Sequence, residues 1–335
     1  MPRVARLNYM VENGVYHVIS RTVLERYFED YEKDKLVEII KHFSLIYFTK
    51  IYGYCIMGNH FHLIVQMNDG KDKSEKDLKK RYALYKKWCV FNPKFSIDEK
   101  EVQEYLRKKW SNISEFVKEI KQAFTRYYNA ANSRRGYLWG GRYKSVLLEK
   151  GEALINCMAY IDLNPIRAKI TDKPEDYRWN TLYYHVVKKN KYKWLSLDYR
   201  KPYKEEEKHK PMNKPKSDHE KFIFYRRYLY TMGKESTYKT YGKEVHSTGT
   251  IPENEFNKAK EQGFEYNIRE EFKYRCRYFT DALIVGSKEF VTLMHGQYKN
   301  KLLEKRKRKF PKLKIFGDIY SMRDLRKDVF LDNAA

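Results

Sequence analysis

A chain of 335 residues with 42% hydrophobic and 16% aromatic content can build one large or two ordinary cores, so wholesale disorder is excluded. With 69 Lys plus Arg against 44 Asp plus Glu, its formal charge of +25 exceeds what solubility needs and predicts a polyanionic partner. The 31 Tyr, 18 Phe and 5 Trp can stack on unpaired bases, which places nucleic acid first among polyanions. No apolar run approaches the roughly 20 residues of a membrane span. No secretory leader is visible at the start, so the expected location is cytoplasmic, on the nucleoid, with no membrane partner. Cys55, Cys89, Cys157 and Cys276 form no CxxC pair and read as buried thiols rather than a disulfide framework or a zinc site.

In chain order, Val15-Tyr16-His17-Val18-Ile19-Ser20 follows Gly14 and has the β-branched and aromatic content of a strand. Leu36, Ile39, Ile40, Phe43 and Tyr47 fall at helical spacing and predict a helix over 34–48. Two apolar runs, 51–57 and 60–67, flank Gly58-Asn59 in the manner of a β-hairpin. Helical spacing returns over 78–90 and 113–131, Gly136 breaks it, and 142–148 reads as a strand. Gly151 and Glu152 open a further helix with Leu154, Cys157, Met158 and Ile161 as its apolar stripe, and Pro165 ends or kinks it. This order suits an α+β fold, an antiparallel sheet with helices packed on it, better than a doubly wound parallel sheet. By composition, 1–185 is one domain and 186–221 a Lys-rich linker. A basic C-terminal region follows over 222–335, DNA-binding or accessory, with the run Lys305-Arg306-Lys307-Arg308-Lys309.

The clearest chemistry lies in Gly58-Asn59-His60-Phe61-His62-Leu63-Ile64-Val65. On a strand, residues two apart share a face, so His60 and His62 can turn both imidazoles to one metal ion while Phe61 enters the opposite layer. Histidines at this spacing also sit at polar surfaces without a metal.

This stretch resembles the His-hydrophobe-His, or HUH, signature of single-tyrosine DNA transposases. It follows His17-Val18-Ile19-Ser20-Arg21 and precedes Gly136-Tyr137-Leu138-Trp139-Gly140-Gly141-Arg142-Tyr143-Lys144-Ser145. Tyr160-Ile161-Asp162-Leu163-Asn164-Pro165-Ile166-Arg167-Ala168 comes later. In this motif order, residues 1–185 resemble the REP-associated tyrosine transposases, a branch of the insertion-sequence-200-like transposases. Arg277-Tyr278-Phe279-Thr280-Asp281 and the stretch 286–291 resemble a C-terminal extension found in some members. Read from its residues alone, the second of these is a helix start with Ser287 as N-cap and Phe290 in a core.

The resemblance implies a ferredoxin/RRM-like HUH fold. It also implies a metal-dependent endonuclease and strand transferase that cuts single-stranded or hairpin DNA through a 5′-phosphotyrosine intermediate. It assigns Tyr160 as nucleophile, His60 and His62 as metal ligands, and Asn164 as third ligand. Pro165 disfavours helical geometry at Asn164, which leaves a capping role open to that amide. Tyr127 and Tyr128 are rival nucleophiles, and His17 reads as a satisfied histidine on the first strand. Arg126, Arg134, Arg135, Arg142, Lys144 and Arg167 are expected on phosphates, with Trp139, Tyr143 and Trp179 as stacking surfaces. Imidazoles favour zinc, whereas the resemblance implies Mg²⁺ or Mn²⁺. No GxxxxGK[ST] loop is present, so no nucleotide cofactor is expected. Monomer and homodimer both stay open. The alternative is a catalytically silent nucleic-acid-binding protein on the same scaffold.

Overall fold

A computed structural model of the chain describes residues 11, 13–23, 26–88, 96–188, 193–199, 217–233, 237–240, 243–246, 251, 257, 278–298, 310, 312 and 318–322. Four strands form the centre: β1 (Val15–Arg21), β2 (Thr49–Ile56), β3 (His60–Met67) and β4 (Lys144–Leu148). With β7 (Ile284–Gly286) and β8 (Tyr320–Ser321) they make one six-stranded sheet in the order β2-β3-β1-β4-β7-β8. Every neighbouring pair is antiparallel except β4 and β7. A separate ribbon pairs β5 (Thr237–Thr240) with β6 (Lys243–His246). The α+β class, with helices packed on a largely antiparallel sheet, is the one the element order predicts.

The alternation of each central strand sorts its side chains into two layers. One face meets α1 (Asp30–Ile46) and α4 (Ile113–Ala131): Phe61 packs on Trp139, and Trp139 on Phe124. The other meets α5 (Glu152–Asp162), against which His17 and His62 lie. Helix α1 starts four residues earlier than its apolar spacing suggests. The reason is a capping box, in which the Glu29 N–H donates to Glu32 Oε2 at 2.8 Å. Helix α4 matches the predicted range, with the Asn112 amide oxygen accepting from the Ser114 N–H at 2.8 Å. Of the remaining helices before it, α2 (Glu75–Trp88) overlaps the expected one, whereas α3 (Lys100–Trp110) lies outside the predicted elements. Its Val102, Leu106 and Trp110 recur every four residues, and the last two are buried, a narrow stripe in a helix otherwise rich in charge.

Within 186–221, the described stretch 193–199 joins the core. Trp194, Leu195, Leu197 and Tyr199 are buried, and the Ser196 N–H donates to the Ile51 carbonyl at 2.7 Å. Helix α8 (Asp218–Gly233) packs on α5. Strand β7 then pairs with β4, with Leu147 opposite Ile284 and Leu148 opposite Val285. The physical reason is the sheet edge: without β7, β4 would leave a row of N–H and C=O groups unpaired, and burial of Ile284 and Val285 closes that edge. Lysine content reports how such a segment is solvated, not where its few Trp and Leu residues go. The run 305–309, Cys89 and Cys276 lie outside the described residues, while Cys55 and Cys157 are buried free thiols. Among the described residues no helix is long and apolar enough to cross a membrane.

Candidate active site

Strand β3 sets His60 and His62 on one face, with ring centroids 5.1 Å apart and planes at 78°. Arg21 is paired with His60 and Ile19 with His62 across the β1–β3 ladder, and Ile19 is paired with Lys144 of β4. Cross-strand partners point to the same side, so Arg21 and Lys144 flank the histidines. His62 is 3% exposed and His60 half-buried, with His60 Nδ1 2.7 Å from Asn59 Oδ1. His17, fully buried on β1, is a satisfied histidine as its strand context suggests. Its Nε2 lies 2.9 Å from His62 Nδ1 and its Nδ1 lies 2.6 Å from the Phe279 carbonyl oxygen. Burial lowers its imidazole to about 4, and the bond to Phe279 offsets part of that.

Helix α5 brings Tyr160 to the same layer. Gly151 precedes it at φ 101°, a conformation that disfavours any Cβ. A second glycine, Gly53, lets the helix approach the sheet: a Cβ there would lie 2.9 Å from Thr181 Oγ1 and 3.0 Å from Ile161 Cδ1. The Tyr160 ring stands edge-on to His62, with centroids 5.9 Å apart, and to His17 at 6.2 Å, and leans on Phe279 at 5.6 Å. It is 1% exposed. The four-residue stripe expected on α5 is in fact a helix buried from Ala153 to Asp162, because α8 covers its outer side. There the Tyr225 hydroxyl donates to Asp162 Oδ2 at 2.5 Å and the Tyr228 hydroxyl donates to Asn156 Oδ1. Burial raises the Asp162 carboxyl to about 7 against the hydrogen bonds from Tyr225 and Thr181, and pushes the Tyr225 phenol well up.

Asn164 opens the short helix α6 (Asn164–Arg167), just after α5 ends before Pro165. Its Oδ1 accepts from Arg167 Nη2 at 2.9 Å, while its Nδ2 is buried without a hydrogen-bond partner. The Arg167 guanidinium lies 4.4 Å above the Tyr160 ring and also donates to the Tyr160 carbonyl. Arg167, expected on a phosphate, is therefore turned inward, with its Nη2 on the backbone carbonyl and the amide oxygen and its charge over the ring.

Two imidazoles on one ion at about 2.0–2.1 Å each must stand within a few ångström of one another, and the His60–His62 spacing meets that demand. On that centroid spacing the two rings can converge on one divalent cation. Asn164 could add an amide oxygen, though that oxygen already accepts from Arg167. Among the described residues no group of three or more His, Cys, Asp or Glu could hold an ion, so the pair would depend on other oxygen donors.

Tyr127 and Tyr128 lie on α4 beside Phe124 and, for Tyr128, Phe28, in the layer on the far side of the sheet from the histidines. Among the expected stacking surfaces, Tyr143 is buried with its hydroxyl 2.9 Å from Ser114 Oγ. Trp179 is buried too, its indole N–H donating to Asp34 at 2.9 Å. Trp139 is half-buried, donating to the Lys121 carbonyl at 3.1 Å and packed on Phe28, Phe61 and Phe124. Each ring serves the core because it has found apolar neighbours and a partner for its polar atom. The exposed aromatics among the described residues are others: Tyr137 at 90%, Tyr27 at 64%, Tyr105 and Tyr31. Tyr27 lies over Gly58, and the Tyr137 carbonyl accepts from Arg26 at 3.1 Å. Arg126, Arg135, Arg142 and Lys144 are exposed and Arg134 half-buried beside Tyr128. Arg21, exposed beside His60, was missed by sequence reasoning, although its place at the end of the first strand was a usable signal.

No protein-family model matches the sequence, and no curated protein does. Among solved structures, the chain is similar to a REP-associated tyrosine transposase bound to a REP hairpin, at 13% identity and a TM-score of 0.39, over 60% of this chain and 93% of that one.

Proposed function

We propose that the chain is a metal-dependent single-stranded DNA endonuclease and strand transferase that acts at palindromic hairpins, with Tyr160 as nucleophile. The observation that carries this reading is the Tyr160 ring set edge-on to His62, in the one layer that also holds His60. In this reading the Tyr160 hydroxyl attacks the scissile phosphorus, and the new O–P bond forms as the bond to the 3′ oxygen breaks. The phenolic proton leaves and the 3′ oxygen gains one, so no net proton is consumed, and the 5′-phosphotyrosine conserves the bond for rejoining. His60 and His62, with Asn164, would hold Mg²⁺ or Mn²⁺, which when bound supplies polarisation of a phosphoryl oxygen. Arg21, Arg142 and Lys144 supply positive charge for the DNA backbone on the exposed rim.

The test uses labelled single-stranded hairpins with the full chain and Mg²⁺ or Mn²⁺, resolved on a denaturing gel. Wild type, Tyr127→Phe and Tyr128→Phe should form a DNA–protein adduct, and Tyr160→Phe should form none. An adduct in Tyr160→Phe that maps to another tyrosine would overturn the assignment. A second reading, nucleic-acid binding without cleavage, is favoured by the near-complete burial of Tyr160 and by the engagement of the Asn164 oxygen. It expects hairpin affinity with no adduct in wild type under either metal.

A further inference from the structure

His17 is a buried histidine whose two ring nitrogens both have partners, and those partners fix its hydrogen. At 2.6 Å from Nδ1 stands the Phe279 carbonyl oxygen, which can only accept, so Nδ1 carries the hydrogen. His17 is 0% exposed and forms no ion pair among the described residues, so a charge on this enclosed ring would go uncompensated, and the neutral ring leaves Nε2 a bare lone pair. His62 Nδ1, 2.9 Å from that lone pair, is then the donor, which puts the lone pair of His62 on its Nε2. His60 follows the same logic: its Nδ1 faces the Asn59 amide oxygen at 2.7 Å, so its lone pair is also on Nε2.

We propose that His17 is a positioning residue: clamped by the Phe279 carbonyl, it holds His62 in the Nδ1–H tautomer and so presents the His62 Nε2 lone pair to the divalent cation. The cation rests on the function proposed above, whereas the tautomer rests on the hydrogen bonds and on the burial of His17 without a counter-charge. Partners behind a metal-ligating histidine fix its ring and typically change affinity 10–100-fold. The clamp also gives the C-terminal region a part in the site, since its carbonyl comes from 262 residues further along the chain. That carbonyl belongs to α9 (Tyr278–Asp281), which packs on β1 and β4.

The experiment is a long-range ¹H–¹⁵N correlation spectrum of the metal-free full chain with ¹⁵N-labelled histidine, paired with Mn²⁺ titration by calorimetry. In wild type, His60 and His62 should both be protonated at Nδ1. His17→Leu, which can neither donate nor accept, should give His62 a mixture of tautomers and weaken Mn²⁺ binding about 10–100-fold. His17→Gln, whose amide can donate to the carbonyl and accept from His62, should restore both. Protonation of His62 at Nε2 in wild type would overturn the proposal without any variant, as would an unchanged His62 tautomer in folded His17→Leu. Expected tautomers with no Mn²⁺ binding by wild type would also overturn it, because the lone pair would then serve no cation. Expected tautomers and Mn²⁺ binding with no adduct on any hairpin would instead sink the strand-cutting function and leave the positioning role in place.

Discussion

Arg167 holds three groups at once: the face of the Tyr160 ring, the Tyr160 carbonyl and the Asn164 amide oxygen. Its planar fork suits that task, and a lysine ammonium cannot reproduce it. Arg167→Ala leaves those oxygens short of a donor and is expected to destabilise the chain by about 1–3 kcal/mol, with little rescue by Arg167→Lys. Urea titration of the full-length variants measures this. Unchanged stability with weakened hairpin binding would return Arg167 to a phosphate. The same guanidinium keeps the Tyr160 ring in the histidine layer, so adduct yield should fall in Arg167→Ala even when hairpin affinity does not. At the exposed rim the expectation differs: Arg21 and Arg142 have solvent around them and no structural bond to lose among those described. Arg21→Gln and Arg142→Gln should leave stability alone and each lower the slope of log K against log salt by about 0.7 for single strands.

Among the elements, α5 and α8 are joined by a buried carboxyl. Asp162 Oδ1 accepts from the Thr181 N–H at 3.1 Å and Oδ2 from the Tyr225 hydroxyl at 2.5 Å. Tyr225→Phe removes one of these donors from a fully buried group and should destabilise by about 1–3 kcal/mol, read as a lower urea midpoint with the m-value unchanged. Strand β7 and helix α8 make the first 185 residues an incomplete unit. A chain ending at residue 188 would expose the β4 edge and the outer side of α5. It is expected to aggregate rather than elute as a folded monomer on size exclusion, and a soluble, cooperatively melting 1–188 fragment would refute that.

At the scale of the whole molecule, burial lowers His17, His42 and His185 each to about 4, with Glu38 and Asp218 raising His42 and His185 in part. The unfolded chain binds protons at these rings near pH 6.5, so it holds more protons than the folded chain below that pH. Their contribution to stability is complete above about 6.5 and is lost as pH falls through about 4. Asp162 acts in the opposite sense, since its raised value of about 7 means its contribution is lost as pH rises through that point. Three groups against one predict a melting temperature that falls between pH 6.5 and 4, measured by calorimetry. His42→Gln and His185→Gln should flatten that fall.

Sequence alone determined what depends on neighbours along the chain. The spacing of His60 and His62 on a strand, the limits of α4, the opening of α5 by Gly151 and its end before Pro165 are local consequences of period, capping and backbone restriction. Tertiary structure decided which elements face each other. Tyr128 on α4 and Asn132 at its C-cap have the same four-residue spacing as Tyr160 and Asn164, so spacing could not separate them as candidate pairs. The sheet does: Tyr128 packs on Phe28 and Phe124 in one layer, and Tyr160 meets His17 and His62 in the other. Nor could periodicity foresee the inward turn of Arg167 or the Phe279 carbonyl behind His17. A hydrophobic pattern reports which side chains share a face of their own element, whereas the partner that covers that face comes from packing between segments distant in the chain.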